Sequence, residues 1–345
     1  MKHKKTISLF WNITLMLFVF AAPLNACTNA DNDKTMDKRN DNSSVGQDNT
    51  DMNTPFTTRS TIGEIVNHSA FEGFGRFLFP LRGDNYDRNM PLSQVGRLLP
   101  YHQNIVADSA ATLLNRMVHR VQAGERIFYD IYTAAQKQAD PSKENTGLFF
   151  FRGTPGKPFA VVCAGGGFAY VGSIHESFPH ADYLSRQGYN VFAIQYRTGG
   201  AQVACEDLAA AISFIFRNAK ELNVDTEGYS LWGGSAGARM AAYLGSYGAA
   251  AYGGDDLPRP STVVMQYTGH TDYTRNDPPT FAVIGENDGI ASPAVMQRRI
   301  DNLKAAGIDA ELHIYPNLGH GFGMGYGTSA EGWIDLALRF WEKHL

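Results

Sequence analysis

The sequence predicts an α/β fold, a mostly parallel sheet with helices on both faces and antiparallel strands at its N-terminal edge. Three observations predict it. From residue 159 to the C-terminus, short apolar runs alternate with stretches of helical periodicity, the pattern of parallel strands joined by crossover helices. Two of those runs, 159–163 (FAVVC) and 191–196 (VFAIQY), are nearly continuous in apolar residues, as strands covered on both faces read. A third, 229–232, passes directly into Gly233-Gly234-Ser235-Ala236-Gly237 and a small-residue helical pattern over 236–243. That is a strand, a very tight turn and a helix, with Ser235 at the apex.

The fold is expected to begin well inside the chain. Lys2, Lys4 and Lys5 precede an apolar run over 7–22 and then Leu24-Asn25-Ala26-Cys27. A basic stretch, an apolar stretch and a small residue at a cleavage point make residues 1–26 a secretory signal peptide. The tetrapeptide resembles a bacterial lipobox, although Asn25 stands where a small residue is usual. It predicts a lipidated Cys27 that holds the protein on a membrane, facing the periplasm or the cell exterior. Plain secretion and an uncleaved anchor are the alternatives; against the anchor, the run is short and contains Asn12. Residues 27–60 are rich in Asn, Asp, Thr and Ser. They bury too little apolar surface to offset ordering and read as a disordered tether.

Residues 61–125 form an N-terminal extension. Its first half mixes Phe71, Phe74, Phe77 and Phe79 with Pro80, Pro91 and Pro100, and reads as irregular structure packed on the main body. Over 105–121, Ile105, Ala111, Leu114, Met117 and Val118 recur at helical spacing. The segment is a lid or pocket wall on one reading and a packing cap on another. The main domain, 126–345, opens with antiparallel edge strands at 127–132 and 147–151 joined through a polar turn at 139–146. Strands follow at 159–163, 191–196, 229–232, 262–266, 280–284 and 310–315. Helices are expected at 180–187, 207–216, 294–306 and 330–343. No internal repeat is present.

With 345 residues and 43% hydrophobic composition, the chain can build one large α/β domain once its N-terminus is set aside. A net charge of -4 gives no reason to propose a nucleic-acid partner. Of the three cysteines, Cys163 and Cys205 read as buried free thiols, with a bridge between them, which needs a specific geometry, as the alternative. Neither sits in a zinc-ligand pattern, and no metal or cofactor is expected.

The chemistry-bearing residues follow the strand ends. Ser235 is a candidate nucleophile next to the positive end of a helix. His320, in the glycine-rich loop after strand 310–315, is the candidate base. Glu286 and Asp288 follow strand 280–284; Asp288, further into the loop, is the preferred carboxylate and Glu286 the runner-up. A serine needs an imidazole to take its proton, and a carboxylate to fix the tautomer and stabilise the imidazolium. After strand 159–163 comes Ala164-Gly165-Gly166-Gly167-Phe168. Consecutive glycine amides can point at one spot, so Gly166 and Gly167, with the amide of Ala236, form a candidate oxyanion hole. The run lacks the spacing of a phosphate-binding turn. Phe168 and His270 are candidates for the substrate pocket. His175, Glu176 and His180 are weighed as rim residues, with structural roles favoured.

These residues resemble the α/β-hydrolase superfamily from about residue 159 to the C-terminus, in particular its carboxylesterase branch of hormone-sensitive-lipase-like, feruloyl-esterase-like and acetyl-xylan-esterase-like proteins. The resemblance implies the α/β-hydrolase fold, with Ser235 as nucleophile, Asp288 and His320 as its partners, and residues 164–167 as the counterpart of the family's HGGG loop. Ala164 stands where many members carry histidine, and Gln195-Tyr196-Arg197 is similar to the family's D-Y-R. The expected activity is hydrolysis of short acyl esters, of small molecules or of acetyl or similar groups on glycans, through an acyl-enzyme. A serine peptidase of the prolyl-oligopeptidase type and a non-catalytic binding protein on the same fold are the alternatives.

Overall fold

A computed structural model describes residues 54–81 and 86–345. The predicted signal peptide, Cys27 and most of the tether lie outside the described residues. The last part of that tether, 54–60, departs from expectation: Phe56 is buried against His68 and Phe71, and its amide donates to Asn115 Oδ1 at 2.7 Å. An aromatic ring with a pocket to fill outweighs the polar composition around it.

The strands are β1 (Phe128–Tyr129), β2 (Gly147–Phe151), β3 (Pro158–Cys163), β4 (Asn190–Gln195), β5 (Asp225–Gly234), β6 (Thr262–Gln266), β7 (Thr280–Gly285) and β8 (Ala310–Tyr315). They form one sheet in the order β1-β2-β4-β3-β5-β6-β7-β8. β1 and β2 run antiparallel, β2 runs antiparallel to β4, and β3 to β8 are mutually parallel. The strand order reverses around β3, the place in an open α/β sheet where a crevice opens beyond the strand ends. Residues of β3, β6 and β7 are buried almost throughout, matching their continuous apolar runs. β8, at the edge, is half-exposed.

Helices in chain order are α1 (Ile62–Val66), α2 (Ala107–Gln122), α3 (Ala134–Ala139), α4 (Ser177–Arg186), α5 (Ala201–Arg217), α6 (Ala219–Leu222), α7 (Ala236–Tyr247), α8 (Pro293–Ala305) and α9 (Trp333–Glu342). α1 starts on a reciprocal cap between Thr61 and Glu64, and α3 on one between Thr133 and Gln136. That cap explains one difference from expectation. The 127–132 strand shrinks to β1 because the chain turns off at Asp130, and α3 occupies part of the connection read as a turn. Asp130 pairs with Lys137 of α3, while Tyr132 donates to Asp207 of α5 at 2.7 Å.

The extension packs through aromatics. Phe74 stacks on Phe128 at 4.9 Å and meets Phe149 edge-on at 5.8 Å, joining the extension to β1 and β2. Phe149 in turn contacts Phe178 of α4 at 4.6 Å. Cys163 and Cys205 are free and buried.

Two packing features bear on the site. The start of α7 lies so close to β3 that a Cβ on Gly237 would sit 2.0 Å from the Cys163 carbonyl oxygen. On α4, His180 is sealed against Trp333 of α9, ring centroids 5.4 Å apart. Burial and the nearby His175 push its pKa down to about 3.

Gly237→Ala is therefore expected to destabilise the fold by about 1–3 kcal/mol, the usual cost of forcing atoms into a filled site. An unchanged urea midpoint would refute the close approach. His180 has a second consequence. Unfolded, it binds a proton below pH ~6.5; folded, it resists until about pH 3. Its contribution is complete above pH 6.5 and is lost as pH falls from there toward 3, by up to about 1.4 kcal/mol per pH unit. His180→Phe should flatten the stability–pH curve between pH 6 and 5 relative to the parent; parallel curves would contradict this.

Candidate active site

Ser235 joins β5 to α7 with φ 52° and ψ -112°, a conformation that costs a non-glycine residue on the order of 1–3 kcal/mol. The surroundings over-determine it: its amide donates to Gln266 O of β6 at 2.9 Å, and the Gly237 approach leaves the turn no room to relax. The consequence is an outward serine. Ser235 Oγ lies 3.0 Å from His320 Nε2, and His320 Nδ1 lies 2.8 Å from Asp288 Oδ2. Read with the hydroxyl donating to Nε2 and Nδ1–H donating to the carboxylate, the three groups form one directed chain. The other carboxylate oxygen, Asp288 Oδ1, accepts the amides of Ile290 and Ala291 at 2.8 and 2.7 Å. The His320 and Asp288 side chains are 3% and 0% exposed, so water does not compete for this pair. Glu286, the runner-up carboxylate, is exposed, and its Oε2 accepts the Asn317 amide at 3.3 Å. It braces the loop that carries His320.

The glycine loop after β3 lies against the serine, since a Cβ on Gly165 would fall 2.8 Å from Ser235 Cβ. Gly166 and Gly167 have φ of 132° and 63°. The amides of Ala169 and Tyr170 turn back on the Gly166 carbonyl at 3.0 and 3.3 Å. Among the described residues the Gly166 and Gly167 amides have no protein acceptor. Ala236 opens α7, so its amide has no intrahelical acceptor either, and it sits at the positive end of the helix dipole. The Ala164 carbonyl takes a 2.7 Å bond from the Tyr196 hydroxyl. Arg197 beside it is held by Asp207 through its amide at 2.7 Å and its guanidinium at 2.7 Å.

Behind the loop is a group whose role sequence reasoning missed. Glu176 accepts the Gly165 amide on Oε2. Its Oε1 accepts the Tyr267 hydroxyl at 2.8 Å and faces His102 Nε2 at 2.8 Å. Burial alone would raise its pKa, but His102 and the donors from Gly165 and Tyr267 together hold it down at about 2. The signal was a carboxylate set among Ile174 and Phe178, just past the glycine loop. A charge in such a run demands partners, but the partners come from distant segments.

One of those segments is the extension. The Tyr101 amide donates to the Tyr170 hydroxyl at 3.1 Å, and His102 Nδ1 lies 2.9 Å from the same oxygen. The Gln103 amide donates to Gly321 O at 2.9 Å. The Tyr101 ring stacks on Tyr170 at 5.7 Å and lies 3.2 Å from where a Gly167 Cβ would be. Residues 101–103 thus wall the site.

Phe168 is half-buried beside Tyr196, centroids 6.4 Å apart, with φ 57°. His270, a candidate for the substrate pocket, is buried edge-on against Tyr243 at 4.6 Å, and burial with Arg299 and Arg239 nearby pushes its pKa down to about 4. His175 is buried too, with Nε2 3.0 Å from Gly321 O, and burial next to His102 pushes it down to about 4. α7 encloses the first ring and the His320 loop the second.

Comparison with known proteins agrees with this architecture. A family profile described as BD-FAE matches residues 152–272, and the Prolyl oligopeptidase family profile matches 255–345. An acetylxylan esterase of Xylanibacter ruminicola is 21% identical over 196 residues, covering 48% of this chain and 41% of that protein. The chain therefore spans about two fifths of the length of this curated relative. Among solved structures, the propionate-bound thermophilic esterase of Thermogutta terrifontis superposes with a TM-score of 0.51 at 19% identity, over 57% of this chain and 89% of that one. The acetyl ester-xyloside bifunctional hydrolase of Caldicellulosiruptor lactoaceticus gives 0.50 at 21%, over 57% and 88%. Both share its α/β-hydrolase fold.

Proposed function

We propose that the protein is a serine ester hydrolase acting on short acyl esters, acetyl groups on glycans among them, through a Ser235–His320–Asp288 triad. One observation carries the reading: the Asp288–His320–Ser235 hydrogen-bond chain beside two loop amides that have no acceptor among the described residues. In the first half-reaction His320 Nε2 takes the hydroxyl proton as Ser235 Oγ attacks the ester carbonyl carbon. The carbonyl oxygen becomes an oxyanion held by the amides of Gly166, Gly167 and Ala236, commonly the largest electrostatic contribution to such a reaction. The C–O bond to the alcohol breaks, and the alcohol leaves with the proton from His320. Water then repeats the sequence on the acyl-enzyme, releasing the acid and restoring Ser235. The alcohol side of the proposal leans on the acetylxylan esterase and xyloside hydrolase likenesses. The second reading, a peptidase of the prolyl-oligopeptidase type, draws on the profile match over 255–345. That stretch holds Asp288 and His320, which both readings need equally.

The proposal extends to the N-terminus: the chain is exported and held on a membrane by lipid on Cys27, with the triad domain carried outside.

Turnover of p-nitrophenyl acetate is expected in the parent and lost in Ser235→Ala, while Asp288→Asn lowers kcat by about 10,000-fold through the wrong histidine tautomer. Full turnover in Ser235→Ala would sink the assignment. Acetylated xylan, a feruloylated sugar, a short acyl-glycerol and a proline-containing peptide, run side by side, rank the substrate classes; preference for the peptide would move the protein to the second reading. For the anchor, palmitate labelling in a bacterial host is expected for the parent and absent for Cys27→Ser, which should leave the membrane fraction. Equal labelling of both would refute lipidation at Cys27.

A further inference from the structure

Residues 101–103 touch two loops that come from opposite ends of the main domain. On one side lies the glycine loop that follows β3. The Tyr101 amide donates to the Tyr170 hydroxyl, which lies 2.9 Å from His102 Nδ1. His102 Nε2 then meets Glu176, and Glu176 takes the Gly165 amide. With the His102 proton on Nε2 and the tyrosine hydroxyl donating to Nδ1, every donor in this series has an acceptor. The His102 and Glu176 side chains are 1% and 2% exposed, so no water stands in for a lost member. On the other side lies the loop that carries His320. The Gln103 amide donates to Gly321 O at 2.9 Å. A Cβ on Gly321, which has φ 71°, would fall 2.3 Å from Tyr101 O, and one on Gly319 would fall 3.0 Å from the Gln103 side-chain amide.

We propose that residues 101–103 act as a strap that positions the glycine loop and the His320 loop relative to each other, with His102 and Glu176 as positioning residues. The inference rests on the esterase reading, because it assigns those loops to the oxyanion and the base. The physical reason is geometric. Oxyanion donors act only when aimed at the place where charge develops, and His320 must meet Ser235 and the leaving alcohol in the same frame. β3 and β8 are separated in the sheet by β5, β6 and β7. A third segment bonded to the backbone of the His320 loop and, through the Tyr170 hydroxyl and the Glu176 carboxylate, to the glycine loop removes their independent motion. Tyr267 supplies a parallel brace: its hydroxyl donates to Glu176 and accepts the Gly323 amide at 3.2 Å. Glu176 is therefore tied to both loops, and the strap is the link between them that comes from outside the sheet. Its ionised state, with the pKa held at about 2, keeps it an acceptor for all three donors at ordinary pH.

The test uses the full chain and three variants. His102→Leu removes the donor to Glu176; His102→Gln restores an amide donor; Tyr170→Phe deletes one hydroxyl and is the mildest to folding. Each is read by kcat and KM on p-nitrophenyl acetate, by labelling of Ser235 with a fluorophosphonate, and by hydrogen exchange of the amides in 165–172 and 319–323. Misaiming a single oxyanion donor set costs about 100-fold or more in kcat, so His102→Leu is expected to lose on that order with KM within about threefold. His102→Gln should recover at least a tenfold share, and Tyr170→Phe should show an intermediate loss. Exchange should rise in both loops together. If His102→Leu does not fold, Tyr170→Phe and His102→Gln carry the same comparison. Parent-like kcat and parent-like exchange in the folded variants overturn the strap while leaving the esterase assignment standing. Exchange that rises in the glycine loop alone also overturns it. If the parent itself shows no Ser235-dependent turnover, the esterase reading has failed, and coupled exchange of the two loops still decides the strap.

Discussion

A buried carboxylate has to be met by hydrogen-bond donors or it destabilises its surroundings, and Glu176 imposes that demand at the centre of this structure. Leaving a buried polar group without its hydrogen-bond partner costs about 1–3 kcal/mol, and more where the group is charged, a large share of the margin by which a domain stays folded. Three donors meet the demand: the Gly165 amide, the Tyr267 hydroxyl and His102. They belong to the loop after β3, the exit of β6 and the N-terminal extension. None can leave its place without stranding charge. The geometry around Ser235 is thereby fixed from beneath by electrostatics, while packing fixes it from the sides.

The packing side has its own logic. Ser235 holds an unfavourable backbone conformation, and that strain persists because β5, β6 and the start of α7 leave no alternative path. The bond from Ser235 to Gln266, the bond from Gln266 Nε2 to Gly323 O at 3.0 Å, and the bond from Trp333 Nε1 to the same carbonyl at 3.0 Å tie the serine turn to the His320 loop and α9. A polar scaffold thus runs behind the apolar sheet core, bonding backbone groups that secondary structure leaves over.

What could be read from sequence was what local pattern encodes. The 262–266 and 310–315 strands, and the 147–151 edge strand, fall where apolar runs placed them. That Ser235, Asp288 and His320 would meet was legible because each follows a strand end in a fixed order, and topology brings strand ends to one edge. The 127–132 strand was misread because Tyr132 answers to Asp207, a partner visible only in three dimensions. His270 was a candidate for the pocket because it follows a strand end; α7 covers it, while His175 takes the structural place favoured for it against the His320 loop. Glu176 and His102 were hidden for the same reason: their pairing joins segments whose periodicity says nothing about each other. Phe56 shows the converse case, a single ring overriding the polar residues near it.

The strap contacts also order events in time. Residues 101–103 emerge early in synthesis, yet they bond a carbonyl at Gly321, close to the end of the chain. Contacts of such sequence separation form late, because the closure entropy of the whole intervening loop is lost before they repay it. A chain still being made, or one cut short before residues 319–323, can hold most of its sheet while the extension has no second loop to grip. The contacts that join the two loops would then arrive as a final, all-or-none step of folding.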